Sequence, residues 1–91
     1  MTYPAVVTTD GDHTVAEFPD CPGCQTFAGG SEDIVQLAQD ALEGWLELAL
    51  DDGEVPPKPS DQPRVPEGGT VMRVPISMEL ELELERVWRR A

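Results

Sequence analysis

Basic side chains are missing from the first 57 residues. Twelve Asp and Glu lie there with no Lys or Arg, whereas residues 58–91 hold six of each, so the whole formal charge of -12 belongs to the first part. A field of that sign repels phosphate backbones and anionic headgroups, which argues against nucleic-acid or membrane binding by this part. A basic partner is the natural expectation. Long apolar runs are missing as well: none approaches the roughly 18 residues needed to cross a bilayer. The start, Met1-Thr2-Tyr3-Pro4, has neither the basic nor the apolar region of a signal peptide, and a cytoplasmic protein is expected. Cysteine occurs twice, too sparsely for a disulfide framework in a chain without a secretion signal, so reduced thiols are expected. At 91 residues the chain can bury one modest core, and a partner or an oligomer is expected to supply further burial.

What is present falls into short strands, then a helix. Residues 2–8 include Tyr3, Ala5, Val6 and Val7; Asp10-Gly11-Asp12 signals a turn; residues 13–18 resume with Thr14, Val15 and Ala16. The pattern predicts a hairpin. After Pro19-Asp20-Cys21-Pro22-Gly23, residues 24–28 suit a third strand, which Gly29-Gly30 ends. From Ser31 the period changes to about 3.6. Ser31 is the expected N-cap, with Glu32 and Asp33 in the first turn, and Ile34, Leu37, Ala38, Ala41, Leu42, Trp45, Leu48 and Ala49 form an apolar stripe. The helix is expected over 31–52 with Gly53 closing it. Five prolines between Pro56 and Pro66 make residues 54–68 an extended linker.

Residues 70–76 then read as a fourth strand, with Pro75 suited to an edge. The Leu/Glu alternation of residues 77–91 fits a strand, but Leu80, Leu84, Val87 and Trp88 share one helical face and Glu85 can pair with Arg89. Helix is favoured there. The order β-β-β-α-β-α predicts an α+β fold, a small, mostly antiparallel sheet covered by one helix, over residues 1–76, with a C-terminal helix over 77–91.

Chemistry-bearing motifs are few. Cys21-Pro22-Gly23-Cys24 could be a redox or zinc site, but no helix start follows it, and His13 is the one further soft ligand. A Pro-Gly turn is the preferred reading; a metal shared between two copies, held by Cys21, Cys24 and His13, stays open. Asp10, Asp12, Glu17 and Asp20 could hold magnesium for a hydrolase only if they converge, which spacing does not establish. No metal, cofactor or catalytic residue is assigned. The acidic residues Asp10, Asp12, Glu17, Asp33, Asp40, Glu43 and Glu47 are candidates for meeting a basic partner. Leu80, Leu84 and Trp88 are candidates for an oligomer interface.

Four collinear stretches carry a family resemblance: Tyr3-Pro4-Ala5-Val6-Val7; Phe18-Pro19-Asp20-Cys21-Pro22-Gly23-Cys24; Gly29-Gly30-Ser31-Glu32-Asp33 leading into Ala41-Leu42-Glu43-Gly44-Trp45-Leu46; and Asp52-Gly53-Glu54-Val55-Pro56-Pro57-Lys58-Pro59-Ser60. Together they resemble the HicB antitoxins, whose usual pattern is Y-P-A, F-P-D-L-P-G-C, a small-residue turn into a helix, and D-G-x-x-x-P-x-P-S. The resemblance implies a partial ribonuclease-H-like fold without nuclease activity. It also implies a partner, a HicA-like basic toxin that cleaves mRNA, neutralised by covering its RNA-binding and catalytic surface, with homodimers or tetramers common. An orphan binding module without a toxin is the alternative. Cys21 departs from the pattern, standing where the family has Leu. The chain ends at Ala91, where the family's DNA-binding segment would begin, so DNA binding is not expected of it.

Overall fold

A computed structural model describes all 91 residues. Its elements follow the expected order: β1 (Thr2–Asp10), β2 (His13–Glu17), β3 (Gln25–Gly29), α1 (Ile34–Asp51), β4 (Thr70–Pro75) and α2 (Met78–Arg90). The strands form one sheet in the order β3-β2-β1-β4, and all three pairings are antiparallel. This is an α+β fold. A two-residue loop, Gly11-Asp12, sets the first hairpin, in which Val7 opposes Ala16 and Asp10 opposes His13. β1 then opposes β4 with Tyr3 against Val74.

Because strand side chains alternate between faces, the register divides the sheet cleanly. Tyr3, Ala5, Ala16 and Val74 lie on one face and are buried with Ala38, Leu42 and Leu46 of α1, and Ala28 is buried on the same face. The alanines among them let the helix sit close. The opposite face carries Val6, Thr8, Val15, Glu17 and Phe27, and no helix covers it.

Both helices depart from expectation in informative ways. Ser31 does not cap α1; Asp33 does, its carboxylate accepting from the Val35 and Gln36 amides. Glu32 is diverted into the preceding turn, where its carboxylate accepts from the Gly29 amide at 3.0 Å, so the helix begins three residues later than expected. At the other end Asp52 is the C-cap and Gly53, with φ +77°, follows it. The Gly53 and Glu54 amides donate to Leu50 and Ala49, a Schellman closure that needs a residue with positive φ. Leu48, placed on the apolar stripe, is 61% exposed, and Leu50 packs against the core instead.

α2 settles the ambiguous tail as a helix. Ser77 caps it, accepting from the Leu80 amide, Glu79 and Glu81 occupy its first turn, and Arg89 and Arg90 its last. Glu85 lies 4.0 Å from Arg89. Leu80 and Leu84 belong to the same apolar cluster as Tyr3, Ala5 and Leu42. Through these two leucines α2 joins the core, while α1 covers the sheet as expected. Leu80 and Leu84, offered as an oligomer surface, are buried within their own chain.

Candidate functional site

The twelve acidic side chains of residues 1–57 form no ion pair. They do not form one patch either. Register places Asp10 and Glu17 on the uncovered face of the sheet, and Asp12 in the loop beside them. Asp40, Glu43 and Glu47 ride on α1, on the far side of the molecule from that face. Asp33 is occupied as the helix cap, Asp40 accepts from the Gln36 side-chain amide, and the Glu43 carboxylate accepts from the Ser77 amide at 2.6 Å, joining α1 to the start of α2. Glu47 is exposed. Thus the seven candidate acids split into a hairpin group and a helix group, and only part of the second is free of a structural duty.

The Cys21–Cys24 segment is a tight turn. The Cys24 amide donates to the Cys21 carbonyl at 2.9 Å, Pro22 stands second and Gly23, at φ +85°, third, the geometry of a type II turn. Both thiols are buried and unbonded to one another. Burial pushes the Cys21 thiol up to about 12, with the neighbouring Cys24 and Asp20 adding in the same direction, and burial alone pushes Cys24 up to about 11. Such thiols are protonated and unreactive at neutral pH. His13 stands at the opposite end of β2, a strand of five residues, and its ring meets Phe27 edge-on at 6.1 Å. Asp10 is separated from Glu17 and Asp20 by the same length of strand, so the four carboxylates do not converge as a metal-dependent hydrolase would require. Nowhere are three His, Cys, Asp or Glu side chains gathered closely enough to hold a metal ion.

The sequence reading missed how residues 54–68 are held. The extended linker is a strap fixed at four places. The Tyr3 hydroxyl donates to the Pro57 carbonyl at 2.7 Å, and the Trp88 indole donates to the Pro56 carbonyl at 2.7 Å. Asp20 accepts from the Ser60 amide at 2.8 Å, and the Arg73 guanidinium donates to the Ser60 and Asp61 carbonyls. Lys58 stands over the Trp88 ring at 5.7 Å. Trp88 is thereby partly buried and engaged within its own chain. The carbonyls of a proline-rich segment have no ladder to accept from, so side chains from three elements reach out to them, those of Tyr3 and Trp88 in partly buried bonds. Past Ser60 the strap turns over the uncovered sheet face, where Arg64 and Pro66 face Val6, Glu17 and Pro22 across a groove of about 420 Å³. Trp45 lies at the edge of the core, its indole donating to the Pro22 carbonyl at 3.2 Å.

Each of the four stretches that carry the resemblance thus supplies or receives one of these bonds. The family model for the HicB-like antitoxin of bacterial toxin-antitoxin systems matches residues 3–83. The chain belongs to the HicB-like antitoxin family. Among solved structures, it is similar to a chain of a "HicA3 and HicB3 toxin-antitoxin complex", at 25% identity and a TM-score of 0.70, over 85% of this chain and 99% of that one. No curated protein matches this chain. As a HicB-like antitoxin it carries the family's turn with Cys21 in the Leu position, and that side chain fills buried space beside Phe18 in the core cluster. No helix is long and apolar enough to cross a membrane.

Proposed function

We propose that this HicB-like chain neutralises a basic HicA-type mRNA endoribonuclease by binding it and covering its RNA-binding and catalytic surface, and that it does so without catalysis of its own. The observation that carries the reading is the family match across residues 3–83, with the likeness to a chain from a HicA3 and HicB3 complex beside it. The charge distribution supplies the physical reason. Twelve carboxylates with no ion-pair partner give a long-range attraction for a basic protein and compete with RNA for the same cations. Such an encounter is fast at low ionic strength and slows steeply as salt rises.

The test is co-expression with a small basic HicA-like protein encoded beside this gene. The two are expected to co-elute on size exclusion, and purified antitoxin is expected to stop RNA cleavage by the toxin at stoichiometric concentration. A toxin that elutes alone and keeps cleaving RNA refutes the proposal.

A further inference from the structure

The two edges of the sheet are treated very differently. β4 carries Arg73 and Pro75, and the Arg73 side chain bridges to the strap. Charge, proline and a covering segment are the usual devices by which an edge avoids pairing with another chain. β3, Gln25-Thr26-Phe27-Ala28-Gly29, has neither charge nor proline.

Hydrogen bonds fix which β3 groups face outward. The Phe18 amide donates to Cys24 and the Gly30 amide to Asp12, while the Gly29 amide turns away from β2 and donates to Glu32. Antiparallel ladders alternate, so residues 24, 26, 28 and 30 are bonded to β2, and the main-chain groups of Gln25, Phe27 and Gly29 point away from it. The Glu32 carboxylate already stands where a carbonyl of an incoming strand would accept from Gly29. One end of the edge is plugged in this way, while the amides and carbonyls of Gln25 and Phe27 have no partner strand. Phe27 itself is 67% exposed, far more than its size favours in a finished surface. The charges flanking the edge are Glu17, opposite Gln25 and facing Arg64 of the strap across the groove, Glu32 at the Gly29 end, and Asp12 beside Gly30, an excess of acid.

We infer that the β3 edge accepts an extended segment of a basic protein partner, which pairs with Gln25 and Phe27 and lays an apolar side chain against the Phe27 ring. Lysine or arginine on that segment meets Glu17 and Glu32. Main-chain pairing gives the contact its strength, and the acidic excess of the flanks selects the charge of the partner. A second copy of this chain would set that excess, three carboxylates to one Arg64, against its own. The inference deepens the antitoxin reading, which supplies the identity of the partner, by naming the surface.

The probe is a ten-residue peptide of alternating Lys and Val, titrated into the isotopically labelled full chain and followed by amide chemical shifts. Shifts and slowed amide exchange are expected at Gln25–Gly29 and Glu17. Phe27→Pro removes an outward amide without removing a bond to β2, so it is expected to keep the wild-type spectrum elsewhere and to weaken the peptide at least tenfold. Phe27→Lys, which keeps the amide, is expected to weaken it through charge. No binding, or shifts confined to the Asp40–Glu47 face of α1, overturns the inference. So does sedimentation of the unliganded chain as a dimer that Phe27→Pro dissociates, which would assign the edge to a second copy. A HicA-type toxin that binds wild type and Phe27→Pro equally overturns the surface and leaves the antitoxin reading intact; peptide binding at β3 with no toxin binding does the reverse.

Discussion

Leu84 distinguishes a helix that belongs to this fold from one that waits for a partner. Its side chain is fully buried among residues of the sheet and α1, whereas Leu82, two positions earlier, is 49% exposed. Truncating a buried leucine to alanine costs about 2–5 kcal/mol, the transfer of the lost methyl groups plus the cavity left behind. At about 0.05–0.15 kcal/mol per residue, a chain of this length has roughly 5–14 kcal/mol in total, so Leu84→Ala removes a large share of it. At about 4–8 °C per kcal/mol for a domain of this size, the melting temperature is expected to fall by about 8 °C or more. Leu82→Ala is expected to stay within about 0.5 kcal/mol of the parent. Far-UV circular dichroism melts and urea titrations at two protein concentrations a hundredfold apart read both variants. If Leu84→Ala lost under about 1 kcal/mol, or if its loss depended on protein concentration, its burial would come from a second molecule and the assignment of α2 to the core would be wrong.

Three further outcomes follow from the same contacts. Asp20→Ala removes the carboxylate that accepts from the Ser60 amide, and is expected to cost about 1.5–3 kcal/mol and to speed exchange of that amide; unchanged Ser60 protection would mean that the strap is held elsewhere. Asp33→Ala is expected to lose about 0.5–2 kcal/mol in urea titrations while Ser31→Ala loses little, and the reverse order would return the helix start to Ser31. Stability is expected to fall as pH rises above about 9: the unfolded chain releases its thiol protons near their ordinary value, while the folded chain keeps those of Cys24 and Cys21 up to about 11 and about 12. In that window the unfolded state binds fewer protons, so each added pH unit favours it, and burial of the Tyr3 hydroxyl acts in the same direction. Urea midpoints between pH 7 and 11 measure this, and a Cys21→Ala, Cys24→Ala double variant is expected to flatten the slope; a slope that the double variant leaves unchanged refutes the assignment to the thiols.

Element type was legible because it is written locally. The hairpin follows from Asp10-Gly11-Asp12 between apolar strands, and α1 from a 3.6-residue stripe; α2 was legible once the face shared by Leu80, Leu84 and Trp88 outweighed the Leu/Glu alternation. Cap identity was not legible. Ser31 and Asp33 are both good caps by composition, and what decides between them is the capture of Glu32 by the Gly29 amide, a bond made only after β3 is in place. The destination of the apolar face of α2 was hidden for a similar reason. A stripe of Leu and Trp reads the same whether it meets its own core or another molecule, and the path of residues 54–68 that carries the chain from α1 to β4 cannot be read from prolines alone.

The site was legible as charge and not as surface. Acidic residues were identified from their one-signed excess, which is a property of the whole segment; the division between the hairpin and α1 appears only when the register is known. The strap then changes what the family motifs mean. Tyr3 reaches Pro57, Asp20 reaches Ser60, Gly53 turns the chain out of α1, and the turn at Pro22 accepts from Trp45. Tyr3 and Asp20 hold a proline-rich segment that has no ladder of its own, and Tyr3 is fully buried in doing so. A pattern built from such residues records how the fold is closed. Surface positions such as Phe27 and Glu47 lie outside that pattern. On the proposed reading of the β3 edge, the contact with the partner therefore rests on residues that the family pattern does not contain.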